Sequence, residues 1–250
     1  MGRFRLVGEG PDDAAVFVAL VKRHGLPLAE KGKPVPDQLV IEFAGGDAAV
    51  VRNLRNPDDE DTRLLDHVRV LLKPRDLTSD DRFGIVLDAD HPRAADPDNG
   101  FRRRWNQVRE NLKSLGYIDL PEEPDPAGTI VGMNQDDRPW VGVWMMPDNR
   151  SPGKLEDFAR RLIRAGDEGL WDHAGQSTAG AISQGARFAV KDQIKAHVHA
   201  FLAWQEVPGV PMGLAITKRF LDADSPQAVA FVDWLCRLYG IASGRPAANP

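Results

Sequence analysis

The sequence predicts an α/β protein, a mostly parallel sheet flanked by helices with additional helices toward the C-terminal end. Three observations carry that expectation. Short apolar runs of strand length alternate with longer stretches of helical periodicity. One of them, FGIVL at residues 83–87, is apolar without a polar interruption, as a central parallel strand covered on both faces must be. Acidic residues follow three of the strand runs, and the carboxyl edge of an open α/β sheet is where ligands bind.

Residues 4–8 (FRLVG) form the first predicted strand; Gly8 and Gly10 suit a tight exit and Pro11 the first position of a helix. That helix carries Ala14, Phe17, Val18 and Val21 on one stripe. Residues 25–36, rich in Gly, Pro and Lys, read as a loop before a second strand at 38–43. Gly45-Gly46 and a helix beginning near Asp47 come next. That Gly-Gly turn lacks the lysine and spacing of a P-loop, so it reads as a plain strand-to-helix turn rather than a phosphate cradle. An amphipathic helix at 59–72 places Leu64, Val68, Leu71 and Leu72 together and stops at Pro74.

After the central strand, residues 99–115 predict a helix that opens with Arg102, Arg103 and Arg104 beside Trp105. The acidic, proline-rich stretch 119–128 reads as an insertion in a single α/β domain spanning 1–250. Strands are expected at 129–133 and 140–146 (WVGVWMM), then a helix near Gly153 with Leu155, Phe158, Ala159 and Leu162 inward. Residues 166–184 read as irregular. A helical C-terminal extension over 186–240 follows, with one helix at 187–205 and a last one packing Phe231, Leu235 and Leu238 beside Trp234 and Cys236. His197 and His199, two apart on a helix, diverge and are not expected to share a metal. Asp222-Ala-Asp224 before Ser225-Pro226 reads as a turn and helix N-cap, and residues 242–250 as a frayed tail.

Composition narrows the function classes. A formal net charge of -5 argues against a broadly basic protein that coats nucleic acid, while leaving room for a local basic groove beside an acidic metal site. The single Cys236 excludes an internal disulfide and a cysteine-rich metal site. No apolar stretch approaches the roughly 18 residues that span a bilayer, and the N-terminus enters a charged strand without a signal-peptide core. No membrane association and a cytoplasmic location are therefore expected.

The chemistry gathers at the strand ends. Glu9 sits where the first strand stops, and Asp13 falls in the first turn of the next helix, where acids also serve as caps. Asp88 and Asp90 close the central strand; two apart in extended chain, they are expected to face one side. Carboxylates converging on one spot repel unless a cation lies between them, and oxygen-only ligands suit Mg²⁺ or Mn²⁺. Asp148 after the last strand and Glu156 in the following helix are further metal or supporting positions. Arg102, Arg103, Lys154 and Lys195 are candidate phosphate contacts.

Glu9-Gly10 after one strand and Asp88-Ala-Asp90 after a later apolar strand resemble the TOPRIM domain of topoisomerases, primases and overcoming-lysogenization-defect nucleases. The spacing from Glu9 to Asp13 is closer to the overcoming-lysogenization-defect branch. Residues 143–149 (VWMMPDN), Gly153-Lys-Leu-Glu156 and the closing Trp-containing helix are similar to a small, poorly characterised TOPRIM-like bacterial family. The resemblance implies that Glu9 is a metal ligand or general base, that Asp88 and Asp90 hold a divalent cation, and that Asp13 completes the site. It implies a Mg²⁺- or Mn²⁺-dependent phosphoryl-transfer enzyme, most directly a nuclease acting on nucleic acid or a nucleotide, with a partner protein as a further expected contact. The other reading is a non-catalytic nucleotide-, metal- or partner-binding regulatory module. With only Tyr117 and Tyr239 and no tyrosine motif, strand passage through a tyrosyl ester is not expected. No motif selects a helping lysine among Lys154, Lys191, Lys195 and Lys218.

Overall fold

A computed structural model describes residues 2–30, 37–44, 63–73, 76–92, 100–132 and 138–242. The sheet contains β1 (Phe4–Gly8), β2 (Leu39–Phe43), β3 (Arg82–Asp88), β4 (Thr129–Val131) and β5 (Trp140–Met146), in the order β2-β1-β3-β5-β4. The pairings β1–β2, β1–β3 and β3–β5 are parallel, and β4 closes one edge antiparallel to β5. Around it lie α1 (Pro11–Arg23), α2 (Arg63–Leu71), α3 (Gly100–Ser114), α4 (Leu155–Arg160), α5 (Glu168–Ser183), α6 (Gln193–Ala203), α7 (Met212–Thr217) and α8 (Pro226–Tyr239).

Strand alternation sorts the core into two layers. Leu6, Val86, Trp144 and Met146 join side chains of α1 and of α4 through α8 on one face. Val7, Ile85, Leu87, Val143 and Met145 join α2 and α3 on the other. On the first face, Phe231 of α8 is fully buried and packs against Phe17, Trp144, Phe158 and Trp234, with ring centroids 5.3–5.9 Å apart. Burial of one such ring contributes about 1.5–3 kcal/mol. Helix α8 comes this close because Gly84 and Gly142 lie beneath it: a Cβ on Gly142 would stand 2.6 Å from Leu238 Cδ2. At the end of α8 the Tyr239 hydroxyl donates to the Arg5 carbonyl at 2.6 Å, and its ring lies 5.4 Å from that of Phe4.

The five strands expected from sequence are all present, and so is the turn at 222–225. Asp222 accepts the Asp224 N–H at 2.9 Å, and the Ser225 hydroxyl oxygen caps α8 by accepting the Ala228 N–H at 3.3 Å. Three helical expectations change. Residues 168–183 form a regular helix where the sequence read as irregular; its Gly, Ser and Thr are weak helix formers, but Trp171, Ala174 and Thr178 are buried along one stripe. Trp171 stacks on His197 of α6 at 3.7 Å, and Gly175 leaves room for that imidazole, so tertiary packing overrides propensity. The helix expected from residue 187 starts at Gln193 after a 3₁₀ turn, Val190–Asp192. Helix α7 was not anticipated; Gly213 lets its first turn lie against the backbone of α1 at Ala15.

Gly45-Gly46, the helix near Asp47, residues 59–62 of the amphipathic helix, and residues 243–250 of the tail lie outside the described residues. Among the described residues no helix is long and apolar enough to cross a membrane. Cys236 is buried in the core.

Candidate functional site

The strand order turns at β1: the chain runs outward from β1 to β2, then returns across it to β3. Such a reversal opens a crevice at the carboxyl ends of the two central strands. Glu9 follows β1 there and Asp88 ends β3. The helices that start around the crevice carry Asp13 in α1, Arg103 and Arg104 in α3, Lys154 at the N-cap of α4 and Glu156 in its first turn.

Glu9 is drawn toward α3, where the Arg104 guanidinium forms an ion pair with its carboxylate. Only 2 % of the Arg104 side chain is exposed, and the group is held on other sides as well. Its Nε donates to the Asp88 carbonyl at 3.2 Å and its Nη1 to Gln107 Oε1 at 3.5 Å. A guanidinium so deep is tolerated only because it is paired.

Asp13, Asp88 and Glu156 belong to the opposite face. Asp13 is buried and accepts the Gly10 N–H at 3.0 Å; Asp88 accepts the Leu155 N–H at 2.9 Å, at the start of α4; Glu156 is buried too. Burial first, and then the Glu9 carboxylate, push the Asp13 carboxyl up to about 7, with Glu156 adding to the rise and the Gly10 N–H opposing it. Asp88 is raised well above the ordinary carboxylate range by the protein packed around it and then by Glu9, Asp13 and Glu156, with Lys154 acting against them. These four carboxylates sense one another, and their mutual repulsion favours the protonated forms of Asp13 and Asp88.

Asp90 departs from the expectation that it would point with Asp88. Its φ of 59° takes the chain out of the extended conformation, which breaks the alternation that two-residue spacing assumes. Its carboxylate lies among cations instead: Lys154 Nζ at 3.6 Å, Arg104 Nε at 3.8 Å and Arg103 at 3.9 Å. Its backbone carbonyl accepts the Gly153 N–H at 3.1 Å, tying the end of β3 to the start of α4. Burial alone would lower the Lys154 ammonium, but Asp90, Asp88, Glu156 and Asp192 together hold it raised.

The remaining positions separate. Lys195 of α6 reaches Glu156 at 3.9 Å, so of the four lysines considered, Lys154 and Lys195 stand against site carboxylates. Asp148 instead organises the turn after β5: its oxygens accept the Arg150 and Ser151 N–H groups at 3.1 and 2.7 Å and pair with Arg161 at 2.7 Å. Arg102 faces away toward Glu123 at 3.6 Å, and together with Arg103, Asn106, Gln107 and Glu110 it lines a shallow cavity of about 490 Å³ on α3. His197 is engaged with Trp171, its Nε2 lying 2.8 Å from the Trp171 carbonyl. Arg104 is the residue that sequence reasoning missed.

The donors are all oxygens, and Asp13 and Asp88 are raised by burial and by acidic neighbours, a chemistry that suits a hard divalent cation. Among the described residues, however, no three His, Cys, Asp or Glu side chains stand ready to hold a metal ion together. The partners explain why: Arg104 takes Glu9, the α4 N-terminus takes Asp88, and Lys154 with the arginines takes Asp90.

No curated protein and no solved structure matches the chain. One family model covers residues 3–240, nearly the whole sequence, and the chain therefore belongs to that family, described as a protein of unknown function (DUF3226).

Proposed function

We propose that this protein is a divalent-metal-dependent phosphoryl-transfer enzyme, a TOPRIM-like nuclease acting on nucleic acid in the cytoplasm. What supports the reading is the placement of Glu9, Asp13, Asp88 and Glu156 around the β1–β3 crevice, near enough that Asp13 and Asp88 are raised by burial and by their acidic neighbours. Mg²⁺ or Mn²⁺ bound there by Asp13, Asp88 and Glu156, with Glu9 as ligand or base, would supply charge stabilisation at the transferring phosphoryl group. This chain's own residues would hold that charge in place. Leu155 N–H fixes Asp88, Gly10 N–H fixes Asp13, and Lys154 and Lys195 stand beside the carboxylates as phosphate contacts.

The test pairs binding with cleavage: Mn²⁺ and Mg²⁺ calorimetry on the wild type and Asp88→Asn, then incubation of both with plasmid, single-stranded DNA and RNA. Metal binding and metal-dependent cleavage lost together in the variant support the reading. Undiminished metal binding by folded Asp88→Asn would remove it. A second reading, a regulatory module that binds metal or a nucleotide without turnover, is favoured by the engagement of Glu9 with Arg104, which ties up the residue best placed to act as a base. Metal binding with no hydrolysis of any of these substrates selects that reading.

A further inference from the structure

Helix α3 concentrates basic charge in an acidic chain. It carries Arg102, Arg103, Arg104, Arg109 and Lys113 against the single acid Glu110, in a protein of formal net charge -5. Arg104 turns into the crevice, whereas Arg102 and Arg103 line the shallow cavity of about 490 Å³ together with Asn106, Gln107 and Glu110. Helical spacing gathers these five: 102 with 106, 103 with 107, and both 106 and 107 with 110 are three or four residues apart. The packed side of the helix is Trp105, Val108 and Leu112, so the fold does not draw on the cavity residues for its core. Arg102 meets Glu123 at 3.6 Å, but the two side chains are 67 % and 79 % exposed, a pair too well solvated to hold the helix in place. Lys113 Nζ donates to Glu110 at 3.0 Å and offsets the one carboxylate of the lining.

Arg103 joins this cavity to the crevice, lining the one and lying 3.9 Å from Asp90 at the other. We propose that the α3 cavity is a docking track for the sugar–phosphate backbone of a nucleic-acid strand whose reacting phosphate lies in the β1–β3 crevice. The proposal rests on the reading of that crevice as a phosphoryl-transfer site and adds how the substrate is gripped. A guanidinium presents a fork of N–H donors that matches phosphate oxygens, and the carboxamides of Asn106 and Gln107 suit phosphate and sugar oxygens. None of the described residues that line the cavity is aromatic, so bases do not stack there and the grip is on the backbone, whatever the sequence. The shallowness agrees with a strand lying across the helix, since a small molecule held there would keep most of its surface in solvent. Placing this charge on one helix also lets a chain of net negative charge orient a polyanion toward the crevice.

Fluorescence anisotropy on the full chain tests this, with labelled single-stranded DNA, duplex DNA and RNA oligonucleotides in EDTA, titrated at salt concentrations from about 50 to 200 mM. Arg102→Glu/Arg103→Glu is expected to bind at least about tenfold more weakly than the wild type, and its dependence on log salt to flatten by about two contacts' worth. Arg102→Glu alone, at an exposed position, is expected to lose about one contact's worth and keeps the test open should the double variant fail to fold. Lys22→Glu/Lys218→Glu changes the net charge by the same amount on the opposite face of the sheet, and is expected to stay within about threefold of the wild type. Equal weakening by that control, unchanged binding in the α3 variants, or no binding by the wild type to any of the three oligonucleotides overturns the proposal. Displacement of the strand by AMP at the same phosphate concentration assigns the cavity to free nucleotides and overturns it as well. Binding that the α3 variants weaken, with no cleavage once Mg²⁺ or Mn²⁺ is added, leaves the track standing and removes the nuclease reading. Metal-dependent cleavage with an unchanged KM in the α3 variants removes the track and leaves the nuclease.

Discussion

Replacing Asp13 by Asn is expected to stabilise the protein in the absence of metal at neutral to alkaline pH. Asp13 sits 8 % exposed in α1, and its pKa is displaced from 3.8 to about 7, first by burial and then by Glu9. Below pH 4 the carboxyl is protonated in both folded and unfolded chains and contributes nothing to the difference. Between about pH 4 and 7 the unfolded chain releases its proton first, so the folded state loses stability as pH rises; above 7 the loss is complete. Three pKa units at about 1.4 kcal/mol each give a cost of about 4 kcal/mol. The amide is neutral and its oxygen can still accept the Gly10 N–H, so Asp13→Asn removes the charge while leaving the helix start intact. Urea unfolding followed by tryptophan fluorescence, at about pH 4.5 and about pH 8, measures the effect. The variant should gain several kcal/mol over the wild type at the higher pH and little at the lower. A variant equally or less stable than the wild type at the higher pH would refute the charge-repulsion account.

Four further outcomes follow from contacts described above. Glu9→Gln leaves the Arg104 guanidinium buried without its counter-charge and is expected to cost about 3–5 kcal/mol, whereas Glu9→Gln/Arg104→Met recovers most of that loss in the same urea assay. Asp148→Ala removes the turn bonds after β5, lowering the melting temperature by a few degrees for a loss of about 1 kcal/mol, and leaves Mn²⁺ affinity unchanged by calorimetry. Ser225→Ala takes the cap from α8 and should cost about 1 kcal/mol by denaturant titration. Gly142→Ala pushes a methyl into Leu238 and Trp234, and the overpacking is expected to cost about 1–3 kcal/mol by the same measurement.

The sheet was legible because its strands are apolar runs bounded by turn residues, and a strand's end fixes where the next side chain falls. That logic found Glu9 and Asp88 at the crevice. It failed at Asp90, since alternation holds only while the chain stays extended and a positive φ ends it. It could not choose among Arg102, Arg103 and Arg104 either, because consecutive helical residues point about 100° apart and only docking decides which one turns inward. The spacing held a clue: Arg104, Val108 and Asn111 fall on one buried row of α3. Glu156 gained its place from the start of α4 being pinned to Asp88 and Asp90, contacts between segments far apart in sequence, whereas Asp148 lost its place to the local turn that it organises. Helix α5 was hidden by its small residues, whose value lies in letting Trp171 and His197 stack rather than in any local preference.

The bond from Tyr239 to Arg5 joins residues 234 positions apart, and α8 is what covers the face of β3 and β5 beneath it. A ribosome delivers the strands long before it delivers that cover. At 5–20 residues per second, the interval between Arg5 and Tyr239 lasts on the order of 10–50 s, during which Leu6, then Val86 and Trp144, lack the final helix that shields them. The nascent chain therefore offers chaperones a lengthening apolar surface throughout its synthesis. A ribosome stalled before codon 231 would release a sheet without the Phe231 ring at the centre of that layer, and quality-control proteases would meet it as an unfinished protein.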